Sequence, residues 1–143
     1  MVILYSIAGI VLLLDQLTKC FALVYLSSGS IPIVPHVFHL SLVENTGVAF
    51  GFFRGHPELL TGIITVSVLC LLACSKFFWV KPRYHRAAYG LILGGAVGNW
   101  IDRLRFEHVI DFLDFRVWPV FNIADACITI GVSLFILAAI RGR

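Results

Sequence analysis

Long apolar segments, separated by shorter polar connections, dominate the pattern of this chain. They predict four helices, over about residues 2–26, 59–80, 87–106 and 120–140. Each is close to the ~20 residues that a helix needs to cross the ~30 Å hydrocarbon core of a bilayer. The pattern therefore predicts an all-α membrane protein, with four transmembrane helices in one integral-membrane domain over residues 1–143.

Residues 31–53 differ from these helices, because β-branched and aromatic residues alternate there with polar ones and prolines and glycines interrupt them. Phe38, Leu40 and Leu42 alternate with His39 and Ser41, as expected for a short half-buried strand. We predict a small extracytoplasmic β-element in this segment.

The composition supports a membrane protein. Apolar residues make up 59% of the chain, charged residues 13%, and the mean hydropathy is +0.95. Soluble domains have roughly 45–50% apolar and about 25% charged residues. We therefore expect membrane lipids as partners, and no nucleic acid.

Basic residues near the ends of the apolar segments indicate an orientation, because they are enriched on the cytoplasmic side. They lie between the second and third segments and after the fourth: Lys76, Lys81, Arg83, Arg86, Arg141 and Arg143. Both termini are therefore predicted to be cytoplasmic, with residues 27–57 and 105–119 outside. Arginines also occur in the two outer segments, so basic residues are enriched on the predicted cytoplasmic side without being confined to it.

Acidic residues are unevenly distributed, because four of the eight in the chain fall within residues 98–115. Charges in a bilayer are expensive and need partners. Asp15 and Lys19 are spaced i,i+4, which predicts an internal ion pair, and Asp102 has Arg103 and Arg105 nearby. The two acids expected to face water in the loop are Glu107 and Asp114.

Asp125 has no basic residue near it in sequence. It lies inside the fourth apolar segment, and no basic residue occurs between Arg116 and Arg141. Asp111 is the natural partner, since it lies among apolar residues in the segment that leads to the fourth helix. Two carboxyl groups held close together at an apolar boundary share a proton, so that one can act as a base and the other as an acid. Hydrolysis of a peptide by activated water requires this pair of roles.

The sequence lacks the motifs of other classes of hydrolase. The sequence has neither HExxH nor GxSxG, which disfavours a zinc metalloprotease and a serine hydrolase of that type. His36, His39 and His56 are interpreted as loop surface, and no metal site or cofactor is expected. The cysteines are predicted to pack as small buried hydrophobes without disulfides: Cys20, Cys70, Cys74 and Cys127.

Small and aromatic residues have structural interpretations. Gly90, Gly94 and Gly98 recur every four residues, which predicts a helix face that packs closely against a neighbour. The aromatic residues expected to act as interfacial anchors are Phe50, Phe52, Phe53, Trp100 and Trp118.

Five motifs together resemble the bacterial lipoprotein signal peptidases, signal peptidase II. They are DQLTK at 15–19, NTGVAF at 45–50, GGAVGNWIDR at 94–103, VIDF at 109–112 and FNIAD at 121–125. They occur in the family's order and on the predicted elements, and they cover essentially the whole chain.

The resemblance implies a membrane aspartyl endopeptidase that removes the signal peptide from diacylglyceryl-modified prolipoproteins, cutting before the lipidated cysteine. It implies catalytic roles for Asp111 and Asp125. The residues that it implies at the substrate site are Asn45, Asn99, Arg103 and Asn122, and those in supporting roles are Asp15, Lys19 and Asp102.

The resemblance also implies a bacterial cytoplasmic (inner) membrane location, with the active site toward the outer face. A cyclic peptide inhibitor of the globomycin type is expected to bind the site. The link of fourteen positions from Asp111 to Asp125 looks short for the family.

Two other classes of protein remain open at this stage. A proton-coupled transporter could bury Asp125 and the Asp15–Lys19 pair, although its ionisable groups would be expected along a path through the membrane. A structural subunit would tolerate neutral substitutes at Asp111 and Asp125.

Overall fold

The structure is a computed structural model that describes residues 1–47 and 57–141. It contains the helices α1 (Val2–Tyr25), α2 (Pro57–Cys74), α3 (Arg83–Phe106) and α4 (Ile123–Ile140), and a short 3₁₀ turn (Ser75–Phe78) continues α2. The strands are β1 (Ile31–Val34), β2 (Phe38–Asn45) and β3 (Val109–Asp114). The predicted fold class, a helical membrane protein with a small β-element, is confirmed.

Three helical segments of the described chain are long and apolar enough to cross a membrane: Val2–Tyr25, Glu58–Phe78 and Ile123–Ile140. The remaining helix, α3, packs against α1, α2 and α4. Its polar residues Asp102 and Arg103 are buried among these neighbours, which explains why it is less apolar than the others.

The start of α3 differs from the prediction. The helix begins at Arg83, whereas the apolar pattern suggested a start at residue 87 and a loop over the basic run before it. Helix formation requires neither apolar side chains nor a membrane, so a hydropathy pattern marks only the part of a helix that meets lipid or core.

The sheet is antiparallel, in the order β1-β2-β3. The third strand was not predicted, because residues 105–119 were expected to form only a connecting loop. Val43 pairs with Asp111, and Asn45 with Val109. Ile110 and Phe112 of β3 belong to a buried cluster that includes residues near the end of α1. Because side chains alternate along a strand, Asp111 points to the opposite face.

Glycines allow α1 and α3 to approach closely, as predicted. A Cβ atom on Gly90 would lie 2.6 Å from the carbonyl oxygen of Leu4, and one on Gly94 would lie 2.6 Å from that of Ala8. Gly95 does the same toward α4, where a Cβ atom would lie 2.5 Å from the carbonyl oxygen of Ala124. Real Cβ atoms do not approach backbone so closely, so these positions require glycine.

We expect Gly98→Ala to destabilise the fold by about 1–3 kcal/mol, the usual effect of overpacking. Its Cβ would lie 2.5 Å from Oδ2 of the buried Asp15, so the substitution would displace that carboxylate. The free energy of unfolding in mixed micelles measures the effect. Gly62→Ala is the matched control, because its Cβ would meet nothing within 4 Å. Equal stability of the two variants would contradict this assignment.

The cysteine prediction was wrong in part. All four are free thiols, but Cys20, Cys70 and Cys74 are exposed and Cys127 is only half-buried. In an apolar helix, an exposed position is one that faces lipid, which accepts a small hydrophobe as well as a protein core does.

Trp118 is 67% exposed, as an interfacial anchor would be. Trp100 instead donates a hydrogen bond to Oγ1 of Thr65 on α2 over 2.8 Å. The other expected anchors, Phe50, Phe52 and Phe53, lie outside the described residues, as does His56.

Candidate active site

A buried ion network joins α1 to α3. The ammonium nitrogen of Lys19 lies 2.8 Å from Oδ2 of Asp15 and 2.8 Å from Oδ2 of Asp102. The predicted Asp15–Lys19 pair is confirmed. The structural role expected of Asp102 from the nearby Arg103 and Arg105 rests on a different partner, because its side chain turns inward to Lys19 on the neighbouring helix.

This network also holds the first residues of two other elements. Oδ1 of Asp15 accepts the backbone N–H of Ala124 in the first turn of α4, over 2.9 Å. Oδ2 of Asp102 accepts the backbone N–H of Ile110 in β3, over 3.2 Å. Asp111 follows Ile110 and Asp125 follows Ala124, so the supporting residues fix the backbone beside both predicted catalytic aspartates.

Asn122 connects these two aspartates. It is the N-cap of α4, where its side-chain oxygen accepts the backbone N–H of Asp125 over 2.9 Å. Its side-chain nitrogen donates to Oδ1 of Asp111 over 2.7 Å and to Oδ1 of Asn99 over 3.1 Å. One fully buried amide thus holds a carboxylate on β3 and the backbone of a carboxylate on α4.

Asp125 lies nearer to the start of its helix than predicted. It was expected about a turn and a half inside the fourth helix, but α4 begins at Ile123, so Asp125 lies in the first turn. Residues 120–122 are extended or capping backbone that the apolar pattern had assigned to the helix. A carboxylate in the first turn is favoured by the helix dipole.

Asp111 is enclosed on its β-strand. It is 1% exposed, and the side-chain nitrogen of Asn45 donates to its Oδ2 over 2.9 Å. Burial raises the pKa of Asp111 to about 7; the charge of Asp125 acts in the same direction, and hydrogen bonds from Asn45 and Asn122 oppose it. Asp111 therefore retains its proton much more readily than an ordinary aspartate.

Asn99 and Arg103 complete the cluster from α3. The side-chain nitrogen of Asn99 donates to Oδ1 of Asp125 over 2.8 Å. The guanidinium of Arg103 is buried and donates to the carbonyl oxygen of Gly47 over 3.1 Å and to that of Asn99 over 3.4 Å. It thereby fixes the chain just after Asn45. The structure brings together all nine residues predicted for the site.

The acids expected to face water behave differently from each other. Glu107 is exposed, as predicted. Asp114 is 7% exposed, so that prediction was wrong. Its carboxylate accepts the backbone N–H of Arg116 over 2.8 Å and the hydroxyl of Ser41 over 3.0 Å. These bonds, the backbone one first, lower the pKa of Asp114.

The short link between the two aspartates folds back on β3. Phe121 forms a bridge with Leu113, with N–H to oxygen distances of 2.8 Å and 3.2 Å in the two directions. Arg116, in the turn, has a φ of 64°. The pairing returns the chain to Asn122 in few residues, which is how so short a link places Asp125 beside Asp111.

Two residues that hold acidic side chains in and near the site were not predicted from the sequence. Gln16 donates to Oδ1 of Asp102 over 3.0 Å, and its position within the DQLTK motif could have drawn attention to it. Ser41 carried no signal, since its role depends on the unpredicted pairing of β2 with β3. The described residues contain no group of three or more side chains suited to holding a metal ion.

Comparison with known proteins decides the family. The profile described as signal peptidase (SPase) II matches residues 7–141. The chain belongs to the signal peptidase II family. This membership makes the chain a peptidase and, with its apolar helices, an integral membrane protein.

Relatives of this signal peptidase II chain match it over most of their length. The lipoprotein signal peptidase of Halothermothrix orenii is 46% identical over 134 residues, which cover 93% of this chain and 92% of the relative. That of Pelotomaculum thermopropionicum is 42% identical over 141 residues, covering 96% of this chain and 91% of the relative. A bacterial membrane enzyme solved by the in meso method at 2.3 Å is similar in fold, with a TM-score of 0.82, 31% identity, and 95% and 86% of the two chains covered.

Proposed function

We propose that this chain is an aspartic endopeptidase that removes the signal peptide from diacylglyceryl-modified prolipoproteins, cutting before the lipidated cysteine. The family and the names of its relatives support a signal peptidase of lipoproteins. The single observation that supports the aspartic mechanism is the contact of Asn122 with both predicted catalytic residues, through the carboxylate of Asp111 and the backbone of Asp125.

The mechanism follows from two carboxyl groups with different protonation. One carboxylate removes a proton from water as the oxygen adds to the scissile carbonyl carbon. The other carboxyl group gives its proton to the carbonyl oxygen. The carbon–nitrogen bond of the tetrahedral intermediate then breaks, as the first group gives the proton taken from water to the departing amine and the second group recovers a proton from a hydroxyl of the intermediate. A carboxyl group with a pKa of about 7 keeps its proton in about half of the molecules at neutral pH, so Asp111 can serve in an acid role.

Asn45, Asn99, Arg103 and Asn122 position the pair and the substrate in this proposal. The three asparagines each donate to a carboxylate or to one another, so the carboxylates are fixed before substrate arrives. Preorganised groups need no rearrangement during the reaction. A cyclic peptide of the globomycin type is expected to occupy the same place as the substrate.

The decisive experiment is cleavage of a synthetic precursor peptide in micelles. We expect the purified protein to cut a peptide whose cysteine carries diacylglyceryl, immediately before that cysteine, and to leave the same peptide without lipid uncut. The mass of the products identifies the bond. Cleavage at another bond, or equal cleavage of both peptides, would contradict the proposed specificity.

We further propose a location in the bacterial cytoplasmic membrane, with both termini and residues 81–86 in the cytoplasm and the site at the outer face. A single reporter cysteine at position 84, in a variant whose four native cysteines are replaced, tests this topology. It should resist an impermeant thiol reagent in intact cells and react after lysis. A cysteine at Ser28, which is exposed in the loop after α1, should react in intact cells. The opposite pattern would overturn the orientation.

A further inference from the structure

Lys19 has a third contact besides its two carboxylates. Its ammonium nitrogen donates to Oδ1 of Asn99 over 2.9 Å. An ammonium group has three N–H donors and no acceptor. With Asp15, Asp102 and Asn99 as partners, all three donors of this buried group are used.

The third contact and a hydrogen bond from Asn122 together determine which way the Asn99 amide faces. An asparagine amide has an oxygen that accepts and a nitrogen that donates, on opposite sides. The Asn99 oxygen receives donors from Lys19 and from Asn122, neither of which could face the amide nitrogen. The nitrogen of Asn99 must therefore turn to the carboxylate of Asp125, where it donates over 2.8 Å.

Lys19 acts on Asp125 directly through its charge, which the adjacent carboxylate of Asp15 opposes. Its specific effect reaches Asp125 through Asn99. Without Lys19, only Asn122 would hold the Asn99 oxygen, so the amide would be oriented toward Asp125 less firmly.

We infer that Lys19 is a positioning residue for the reaction, because it orients the Asn99 amide so that the amide donates to Asp125. This inference rests on the proposed aspartic mechanism. It assigns a part in the reaction to a lysine that has no contact with either aspartate of the proposed pair in the hydrogen bonds of the described chain. Asp15 and Asp102 hold the ammonium in place.

The test must avoid leaving two buried carboxylates without a cation, which would strongly destabilise the protein. Lys19→Met combined with Asp15→Asn and Asp102→Asn removes the ions together and keeps similar side-chain volumes. Buried ion networks replaced in this way usually leave stability unchanged or improved. Unfolding in mixed micelles verifies that this triple variant is folded, and rates are expressed per folded protein.

We expect the triple variant to lose about 10- to 100-fold in kcat with KM little changed, the range for loss of one hydrogen bond to a charged group. Asn99→Ala should lose a similar factor. Adding the triple change to Asn99→Ala should have little further effect, because both remove the same bond. Glu107→Gln is the control, since Glu107 is exposed and lies outside the network, and its kcat should stay near wild type.

The pH profile separates positioning from general structural support. The charged groups around Asp111 on β3 and Asp125 on α4 are Asp15 and Lys19 on α1 and Asp102 and Arg103 on α3. Loss of a donor to a carboxylate disfavours its ionised form, so the acid limb should move to higher pH in Asn99→Ala and in the triple variant alike. Reduced structural support would lower the rate at every pH without moving the limb.

Two outcomes would overturn the inference. A folded triple variant with wild-type kcat would remove Lys19 from the reaction, and multiplied losses in the combined variant would show that Lys19 does not act through Asn99. Asp125→Asn, assayed in parallel, distinguishes this failure from a failure of the proposed function. If Asp125→Asn is inactive while the triple variant is active, only the role of Lys19 is wrong.

Discussion

Asp111→Asn and Asp125→Asn are each expected to lower cleavage of a lipidated precursor about 1,000-fold or more, because an amide can neither accept the proton of water as a base nor return it as an acid. The two groups act on one step, so the double variant should be little slower than either single variant. The measurement is the single-turnover cleavage rate, with purified protein in excess over substrate.

The two substitutions differ in how cleanly they test the mechanism. Asp111 accepts amide donors at both of its oxygens, from Asn45 and Asn122, so the new amide nitrogen at position 111 would face a donor. At position 125 the new asparagine can keep the bond from Asn99 through its own oxygen. Asp125→Asn should therefore fold as the wild type does, and its activity carries more weight.

The controls for this experiment are chosen from exposed acids. Glu107→Gln and Glu44→Gln should retain activity, since Glu107 is exposed and Glu44 is 65% exposed, with His108 at 4.0 Å as its only ion-pair partner among the described residues. Asp114 is unsuitable, because its hydrogen bonds hold the turn that leads to Asn122. Near wild-type cleavage by folded Asp125→Asn would refute the aspartic mechanism and reopen the transporter and structural interpretations.

The helices were predictable because lipid leaves a spanning chain few alternatives. A segment without water must satisfy its backbone internally, so a long apolar run becomes a helix almost regardless of its neighbours. The same reasoning fails for segments that are exposed to water, because their backbone can also bond to solvent. It missed the first turn of α3, whose basic residues form a helix without being apolar, and strand β3, whose pairing depends on β2 more than 60 positions earlier.

Local spacing likewise predicted one half of the ion network. Asp15 and Lys19 are one helical turn apart, so their contact follows from α-helical geometry alone. Asp102 has two arginines close in sequence, and sequence proximity suggested them as partners. Its actual partner, Lys19, comes from another helix, and the choice depends on which face of α3 meets α1.

The two aspartates emerged from the residues by elimination, whereas the asparagines around them came only from the resemblance. An asparagine in an apolar segment has no charge that demands a partner, and its amide can face either way. The partners of Asn99 and Asn122 come from α1, β3 and α4, so their roles depend on tertiary structure that no local pattern encodes.

Asp15→Ala is expected to produce the largest loss of stability among single substitutions in this network, about 3–5 kcal/mol, as when one partner of a buried ion network is removed. Asp15 is fully buried, and it joins Lys19 on its own helix to the N–H of Ala124 on α4. Its removal leaves that N–H without its acceptor and deprives the ammonium of one of two carboxylates.

The free energy of unfolding in mixed micelles measures this loss, with Glu44→Ala as the control for an exposed acid, where a change within about 0.5 kcal/mol is expected. Asp15→Asn should be intermediate, because its oxygen can still accept the N–H of Ala124 while its amide nitrogen faces the ammonium. If Asp15→Ala is as stable as the control, the ion network does not hold α1 to the start of α4. The positions of Asn122 and Asp125 would then need another cause, such as the pairing of Phe121 with Leu113.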